Sequence, residues 1–444
     1  MNTRTPQDPT TAISRLGEYV DASQIHVEES PDADRSSLRH CLRVLPTSEQ
    51  DITHIFHALQ DLGWTVIPTG GGSGLIYGNV QDVDAVLLLD TSKLTQVIHY
   101  SPADMLITVE AGMSLRQLQG ILAEEGQMLP LDPICDSETM TVGALIATAQ
   151  FGPYRAHYGT LRDMVTALRV VLGNGTAIKM GSRVVKNVAG YDLAKVFVGS
   201  LGTLGVITEC TLKVKPIPSY REVCVIQGSL DEALAWQHQV MDSPYAAACF
   251  ELVSALPAYS GTSYSSYGSW ALLIGNDDNE SGAISQREYL RQMAEETLTV
   301  VDPSSYQTFW NAYRDHLLSF SIVIRVQTAP NAAGRHAAEI RDRLSACDQV
   351  SAYLSVTVPH GICRVYLISE DTQAARKALG DVMDYARNHK LAFVVEKAPT
   401  AIRRGVDVFY SPRLQEGSLD VMRLLKDQYD PQHILNPGIF VGGI

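Results

Sequence analysis

A glycine-spaced turn between residues 199 and 207 constrains the fold of this chain more than any other stretch. Gly199, Gly202 and Gly205 recur at every third residue, and the β-branched run Val206–Thr208 follows them. Glycine has no Cβ, so such a backbone can bend sharply and can approach a ligand through its own N–H groups. Taken alone, the spacing favours a tight connection between two strands over a nucleotide or flavin site. A second glycine cluster upstream favours the binding interpretation.

The second glycine cluster follows a predicted strand, Trp64–Pro68. Residues 69–75 read Thr-Gly-Gly-Gly-Ser-Gly-Leu, and backbone N–H groups left uncovered in this way can hold a diphosphate without a cationic side chain. Asp90 follows about 20 residues later, where a dinucleotide-binding βαβ unit places its ribose-binding acid. The cluster lacks the third glycine of that motif, and the interval from Ile76 to Asp84 is too short and too polar for a crossover helix. The sequence therefore predicts a phosphate-binding loop on another scaffold.

Composition and charge exclude several classes of function. The chain has 444 residues, enough for two or three domains, and its net charge of −14 argues against nucleic acid or an anionic membrane surface as the main partner. Its apolar runs are too short for a transmembrane segment, and its N-terminus lacks the apolar region of a secretory signal. The seven cysteines are scattered, which argues against an iron–sulfur cluster or a cysteine-based zinc site and fits reduced thiols in a cytoplasmic protein.

Periodic patterns predict an alternation of strands and helices. The predicted helices include Asp51–Leu62, Leu115–Glu125, Leu230–Met241 and Ser285–Glu296. Ala167–Met180 is predicted to be a hairpin, because its Gly-Asn-Gly turn supplies the positive φ angles that a tight primed turn demands. A boundary is predicted near Pro216–Ser219, and the order of strands and helices after it suggests an α+β sandwich.

Several motifs stand in a fixed order with the two glycine clusters. They are PTGGGSGLIYG, LPLDP, TVGALIA, HYGTLRDMV, KNVAGYDLAKVFVGSLGTLGVIT and DPQHILNPG. In this order and spacing the chain resembles the FAD-linked oxidases of the vanillyl-alcohol oxidase fold, also called the p-cresol methylhydroxylase (PCMH) type, over residues 40–218 and 396–444. Within that group, RVVKNVAGYD and VVEKAPTAIRRGVDVF resemble the FAD-binding subunit of glycolate oxidase (glycolate dehydrogenase).

The resemblance implies an α+β fold with four regions. An N-terminal segment, residues 1–39, is expected to be partly disordered, up to about Thr11. Residues 40–218 are expected to form a PCMH-type FAD-binding domain of two α+β subdomains, and residues 219–395 an α+β cap domain. Residues 396–444 are expected to form a C-terminal segment that packs back on the FAD-binding domain and returns to the flavin.

The resemblance also implies which residues bind FAD. The diphosphate loop comprises Pro68, Thr69, Gly70, Gly71, Gly72, Ser73, Gly74 and Leu75. The residues expected along the flavin and its ribityl chain are Pro130, Asp132, Pro133, Thr139, Val142, Gly143, Tyr158, Gly159 and Lys186. The adenine end is expected to meet Gly199, Gly202, Thr203, Gly205 and Ile207, and Asn436 of the tail motif is expected near the isoalloxazine. No histidine lies between His57 and His99, where members with covalent flavin usually carry one, so the resemblance implies non-covalent FAD.

The chain departs from the group in two places. It has Gly143-Ala144 where the group typically has two glycines, which adds one methyl group near the cofactor. The related hydroxyacid dehydrogenases also carry a histidine pair in the cap, whereas this chain has the single His360. We therefore predict no metal site.

The catalytic residues are not fixed by the sequence. His360 is a candidate base, and Arg325, Arg364 or Arg404 could grip a substrate carboxylate bidentately. Tyr191 is a further candidate because it lies inside the flavin motif. For each of these residues a packing or surface role is the alternative.

Three functions remain open. The first is the flavoprotein subunit of a glycolate dehydrogenase complex that oxidises glycolate to glyoxylate. In that complex the chain relays electrons beside a catalytic flavin subunit and an iron–sulfur subunit, in the cytoplasm or peripherally at a membrane through its partners. The second is a self-sufficient FAD-dependent D-2-hydroxyacid dehydrogenase, and the third is a non-catalytic structural subunit with a retained nucleotide site. The scattered cysteines and the incomplete cap motif favour the first, since partners would have to supply the missing groups.

Overall fold

The computed structural model describes residues 5–28, 38–72, 77–79, 83–182, 192–256, 270–294 and 297–444. Within these ranges the chain forms a four-stranded, a five-stranded and a nine-stranded sheet, and a two-stranded ribbon. Helices pack on all three sheets. The predicted α+β class is confirmed.

The four-stranded sheet comes first in the chain. Its elements are α1 (Pro9–Leu16), β1 (Ile25–Val27), β2 (His40–Val44), α2 (Glu49–Leu59), β3 (Thr65–Thr69) and β4 (Ala85–Asp90). The strand order is β1-β2-β4-β3, and β3 lies parallel to β4. The described residues of the β3–β4 connection, 70–72, 77–79 and 83–84, contain no helix. The glycine cluster therefore follows β3 directly, as the sequence predicts.

The start of the chain differs from the prediction. Helix α1 begins at Pro9, and the Asp8 side chain accepts hydrogen bonds from the backbone N–H groups of Thr10 and Thr11. Ala12 and Leu16 are fully buried against α2 and the first sheet. The prediction of disorder up to about Thr11 is therefore wrong for residues 9–11, because burial of one helix face stabilises a segment whose composition alone does not.

The five-stranded sheet follows. Its region contains β5 (Val97–Ser101), β6 (Leu106–Glu110), α3 (Leu115–Glu124), β7 (Gln127–Met128), α4 (Val142–Thr148), α5 (Arg155–Tyr158), α6 (Leu161–Met164), β8 (Val165–Val171), β9 (Ala177–Gly181), α7 (Ala194–Phe197), β10 (Val206–Lys213) and β11 (Lys215–Pro216). The order is β5-β6-β10-β8-β9, so the glycine-spaced turn leads into the central strand, β10. β8 and β9 form the predicted hairpin.

The nine-stranded sheet dominates the second half. Its elements are β12 (Tyr220–Gly228), α8 (Leu230–Met241), β13 (Cys249–Val253), β14 (Trp270–Asp278), α9 (Glu280–Ala294), β15 (Leu298–Val301), α10 (Tyr306–Leu318), β16 (Ile322–Gln327), α11 (Ala333–Leu344), β17 (Ser351–Thr357), β18 (Ile362–Ile368), α12 (Thr372–Asn388), β19 (Ala392–Lys397), α13 (Thr400–Arg403) and β20 (Phe409–Tyr410). One face packs on α8, α9, α11 and α12, and the other on α10 and Tyr154. β19 runs across the boundary predicted at residue 395, and the division into domains stays a prediction.

The chain ends with helix α14 (Glu416–Tyr429) and a coil that runs beside β3. The Val66 N–H donates to the Ile434 carbonyl at 2.8 Å, and the Asn436 N–H donates to the Val66 carbonyl at 3.0 Å. These bonds hold the tail against the strand that leads into the glycine cluster. Among the described residues, no helix has both the length and the apolar composition needed to cross a membrane.

Candidate functional site

Two adjoining cavities lie where the glycine clusters, the tail and the nine-stranded sheet meet. We call the narrower one, which borders Gly70, Gly143, Gly202 and Gly205, the glycine cavity. The wider one has a volume of about 570 Å³, and we call it the arginine cavity. Tyr77, Thr148 and Leu201 line both cavities, so one extended ligand could occupy the two together.

The glycine cavity lies between the end of β3, the start of α4 and the glycine-spaced turn. A Cβ on Gly70 would lie 2.3 Å from Oγ1 of Thr141, and a Cβ on Gly71 would lie 2.1 Å from the Thr139 carbonyl oxygen. Only glycine allows the loop backbone to approach residues 139–141 this closely. The predicted residues that line the glycine cavity are Pro68, Thr69, Gly70, Gly143, Gly202, Gly205, Ile207 and Asn436.

A buried ion pair fastens the tail to the glycine-spaced turn. Nζ of Lys426, which is 2% exposed, donates to Oδ2 of Asp430 at 2.7 Å, to the Thr203 carbonyl at 2.8 Å and to the Leu435 carbonyl at 2.6 Å. Burial lowers the pKa of Lys426, and Asp430 opposes this effect. The Asn436 side chain also donates to the Leu201 carbonyl at 2.7 Å. One cation and one amide therefore hold the backbone of the glycine-spaced turn in place.

A second buried cation holds the far end of the glycine cluster. Arg403 is 3% exposed, and its Nη1 donates to the Gly78 carbonyl at 2.6 Å. Asn79 beside it donates through its backbone and side chain to the carbonyls of Ile439 and Phe440. The sequence gives an arginine pair here but no sign that Arg403 points inward, because its partner is more than 300 residues away in the chain.

Cations surround the arginine cavity. Among the described residues that line it, the charged ones are Arg155, Arg162, Arg325, Arg364, Lys397 and a single acid, Glu396. The chain as a whole carries a net charge of −14, so this excess of positive charge is a local feature. A cavity of this sign attracts anionic ligands.

Three of the arginines surround the ring of Phe151. The guanidinium carbons of Arg155 and Arg364 lie 4.2 and 4.3 Å from the ring centroid, and that of Arg325 lies 5.8 Å from it. Glu396 accepts from Nε of Arg325 at 2.6 Å and from Nε of Arg364 at 2.8 Å. Burial opposes ionisation of Glu396, but the two arginines lower its pKa below the usual value. One carboxylate thus holds two of the three cations in place.

Arg155 is the arginine of this group that forms no ion pair with a carboxylate in the described part of the chain. Its Nε is buried and has no hydrogen-bond partner among the described residues. Burial, together with the charges of Arg325 and Arg364, lowers the pKa of Arg155. A half-buried guanidinium with an unpaired Nε can still accept a bidentate partner, so this position is suited to a carboxylate brought by a ligand.

The sequence prediction did not name Arg155. It lies in the run Phe151-Gly-Pro-Tyr-Arg155, one turn before the predicted Tyr158 and Gly159. The available signal was one cation in an otherwise apolar and glycine-containing stretch between two flavin motifs. That signal does not reveal that Arg325 and Arg364, from strands far along the chain, reach the same ring.

The candidate base, His360, lies beside the arginine cavity. No histidine is found among the described residues that line this cavity. The His360 carbonyl accepts from Nε2 of Gln327 at 2.7 Å, and Gln327 does line the cavity. Burial, with a smaller effect from Arg155, lowers the pKa of His360. His360 is therefore neutral near neutral pH and is separated from the cavity by its neighbours.

Several predicted residues lie outside both cavities. Asp132 and Pro133 line a further cavity of about 520 Å³ between α3 and α10. Tyr158 donates to Oδ2 of Asp277 at 3.1 Å, and Arg404 accepts from Arg376 through its carbonyl at 2.7 Å. The other predicted residues that are described and line neither cavity are Gly71, Gly72, Pro130, Thr139, Val142, Gly159, Thr203 and His360.

Three of the predicted residues line the arginine cavity, namely Gly199 and the two candidate carboxylate-binding residues Arg325 and Arg364. Ser73, Gly74, Leu75, Lys186 and Tyr191 lie outside the described residues.

The described residues hold no group of three histidine, cysteine, aspartate or glutamate side chains placed to bind a metal ion.

Comparison with known proteins identifies an FAD-binding domain in the first half of the chain. Residues 42–181 match a family described as an FAD binding domain. A solved structure of p-cresol methylhydroxylase with bound substrate matches 97% of this chain and 96% of its own, with a TM-score of 0.75 and 14% identity. The chain therefore has the PCMH fold and carries an FAD-binding domain over residues 42–181. The match to an FAD binding domain confirms the predicted cofactor, FAD.

The chain is also similar in sequence to curated proteins. The chain is 36% identical over 197 residues to "D-lactate dehydrogenase [cytochrome], mitochondrial" of Arabidopsis thaliana and 37% identical over 158 residues to "Glycolate oxidase subunit GlcE" of Escherichia coli. These matches cover 43% and 35% of this chain, and 34% and 45% of the two relatives. "Glycolate oxidase subunit GlcD" of Bacillus subtilis is 24% identical, over 89% of this chain and 87% of its own length.

The residues of the two cavities fit FAD in chemistry. Gly72, which follows Gly70 along the loop, has a φ of 84°, and no atom of the described residues would lie within 4 Å of a Cβ there, so its backbone is open to a phosphate. The glycine cavity would take the nucleotide, and the wider arginine cavity the flavin ring. The glycine cavity measures only about 80 Å³.

Replacing Gly71 by alanine should abolish FAD binding. The added Cβ would lie 2.1 Å from the Thr139 carbonyl oxygen, so the loop would have to move away from residues 139–141. The matched control is Gly120→Ala in α3, where a Cβ would meet nothing within 4 Å. Flavin absorbance of the purified variants checks this, and full FAD content in Gly71→Ala would show that the close approach is not required.

Proposed function

We propose that this chain is an FAD-dependent oxidoreductase that oxidises the CH–OH group of a 2-hydroxyacid in its own arginine cavity. The observation that carries the proposal is the cluster of Arg155, Arg325 and Arg364 around Phe151, in a cavity that adjoins the glycine cavity. Relatives named as D-lactate dehydrogenase and as glycolate oxidase subunits support the substrate class. FAD is held non-covalently, since no histidine lies between His57 and His99.

The arginine cluster would fix the position of the substrate. Arg155 binds the substrate carboxylate, because its Nε lacks a partner. Arg325 and Arg364 remain paired with Glu396, and Arg364 also donates to the Phe151 carbonyl at 3.0 Å. When bound, FAD supplies the acceptor for the hydride that leaves the hydroxyl-bearing carbon. The chain's own contribution is to orient the acid and to keep its charge paired.

The hydroxyl proton requires a base, and His360 is the residue that we propose. Its Nδ1 is buried and has no hydrogen-bond partner among the described residues, and its backbone carbonyl accepts from Gln327, which lines the cavity. A water molecule between the imidazole and the cavity would let His360 act as the base. Base catalysis needs the neutral form, and the pKa of His360 is lowered from about 6.5. We expect kcat/KM to hold from neutral pH down to below pH ~6.5 and then to fall as His360 gains a proton.

A pH profile of kcat/KM checks the role of His360. In His360→Gln this acidic limb should disappear, with a loss of roughly 100-fold in kcat at neutral pH. An unchanged profile in the variant would exclude His360 as the base and leave the carboxylate site unaffected.

A direct test of the proposed activity is formation of the 2-oxoacid. The FAD-loaded chain is incubated with a dye acceptor and D-lactate, and the product is trapped with a hydrazine reagent. Formation of pyruvate in proportion to dye reduction supports the proposal. Pyruvate formation that stays at the level of free FAD contradicts it.

A second candidate is the flavoprotein subunit of a glycolate dehydrogenase complex. The two relatives named as glycolate oxidase subunits favour it. In this function the chain acts beside a catalytic flavin subunit and relays electrons to an iron–sulfur subunit, in the cytoplasm or peripherally at a membrane. Co-purification from the source cells with a cysteine-rich, iron-containing partner would support it, whereas a chain that turns over alone would favour the self-sufficient dehydrogenase. The third alternative, a structural subunit, predicts that neither cavity binds a substrate.

A further inference from the structure

One row of paired residues crosses four neighbouring strands on the cavity side of the nine-stranded sheet. Arg364 on β18 pairs in register with Arg325 on β16, Arg325 with Val394 on β19, and Val394 with Phe409 on β20. All four line the arginine cavity. The row is cationic at one end and apolar at the other.

The strand spacing sets the distance between the two ends. Neighbouring strands lie about 5 Å apart, so Phe409 stands roughly 10 Å from Arg325 along the sheet. Glycolate has only two carbon atoms and spans less than half of this distance. An acid bound at the arginines would reach Phe409 only through a side chain of several carbons.

The apolar end is a built surface rather than one exposed side chain. Phe409 packs edge-on against Phe440, with 5.6 Å between ring centroids. Both rings are partly exposed and line the cavity. We call these two residues the aromatic wall. A short polar acid would leave the aromatic wall facing water, which is unfavourable.

The flavin ring does not need the aromatic wall. The other side of the arginine cavity is formed by residues 148–151 and 198–201. Thr148 and Leu201 in these segments also line the glycine cavity. A nucleotide bound in the glycine cavity would bring its flavin ring to that side, which would leave the sheet row for the substrate.

We propose that the substrate is a 2-hydroxyacid with an extended apolar side chain, whose carboxylate binds at Arg155 and whose side chain lies along Val394 to the aromatic wall. The inference rests on the proposed function and narrows its substrate class. It separates this chain from an enzyme built for glycolate, in which no apolar surface is needed at this distance from the carboxylate site.

Calorimetric titration of the FAD-loaded, full-length chain under anaerobic conditions tests the inference, with 2-hydroxyoctanoate and glycolate as probes. We expect 2-hydroxyoctanoate to bind at least about tenfold more tightly, because each buried methylene adds to affinity. The flavin absorbance is followed in the same samples. Equal affinities, with flavin reduction by both acids, would overturn the apolar substrate class and leave the proposed function intact. Absence of binding and of reduction with both acids would overturn the proposed function.

Two variants test whether the aromatic wall causes the difference in affinity between the two acids. Phe409→Asn removes the apolar end of the row, and the ratio of the two dissociation constants should fall at least about fivefold. Leu424→Ser is the matched control, since Leu424 is 66% exposed on α14 and lies outside the cavity. An unchanged ratio in Phe409→Asn, in a variant that retains FAD, would contradict a side-chain site at the aromatic wall.

Discussion

Replacing Lys426 by methionine should destabilise the protein by about 3–5 kcal/mol and release FAD. The change leaves Asp430, which is fully buried, without its cation. It also removes the donor for the carbonyls of Thr203 and Leu435, so the glycine-spaced turn and the tail lose their common anchor. Denaturant unfolding followed by circular dichroism gives the free energy, and flavin absorbance gives the FAD content.

A double variant separates the effect of the unpaired Asp430 charge from the effect of losing the Lys426 side chain. Lys426→Met combined with Asp430→Asn removes both charges, so it should be more stable than Lys426→Met alone. The control is Arg423→Met in the same helix, whose pair with Asp420 is exposed and should contribute less than about 1 kcal/mol. A Lys426→Met protein as stable as the parent, with full FAD content, would show that the buried pair does not organise the site.

Replacing Arg155 by methionine should lower kcat/KM for the hydroxyacid at least about 100-fold while FAD stays bound. Methionine keeps much of the packing against Phe151 but cannot pair with a carboxylate. Arg155→Lys should recover part of the loss, because it restores the charge without the bidentate geometry. Steady-state kinetics with a dye acceptor measures both variants.

The control for Arg155 is Arg116→Met. Arg116 lies on α3, is largely exposed and pairs with Glu138, outside the arginine cavity. The Arg116→Met substitution should leave kcat/KM within about twofold of the value for the parent protein. A parent-like kcat/KM in Arg155→Met would exclude Arg155 as the carboxylate site and shift that role to Arg325 or Arg364.

Local sequence patterns predict the helices well. The predicted helix Leu230–Met241 coincides with α8, since Ser229 and Glu232 form a capping box that is visible in the sequence. The helix predicted over Ser285–Glu296 begins earlier in the structure, at Glu280. The low helix propensity of Ser281 and Gly282 disfavours a helix start there. In the structure the Asn279 side chain accepts from the Gly282 N–H at 2.9 Å and caps the first turn.

The glycine cluster and the arginine cluster differ in how far the sequence reveals them. Glycine spacing is a local property of the chain, and Gly70, Gly202 and Gly205 from the two predicted clusters line one cavity. Arg155 and Glu396 come together only because β16, β18 and β19 pair and lie against residues 151–155. Such contacts depend on strand order, which no local pattern encodes.

The visible spectrum of the FAD-loaded chain, followed anaerobically as a 2-hydroxyacid is added, tests the central claim most directly. The account predicts that the flavin band bleaches with 2-hydroxyoctanoate or D-lactate, and that Arg155→Met, loaded with the same FAD, bleaches far more slowly. A band that persists with every hydroxyacid but bleaches with dithionite would contradict a substrate site in this chain and would favour an electron-relay subunit.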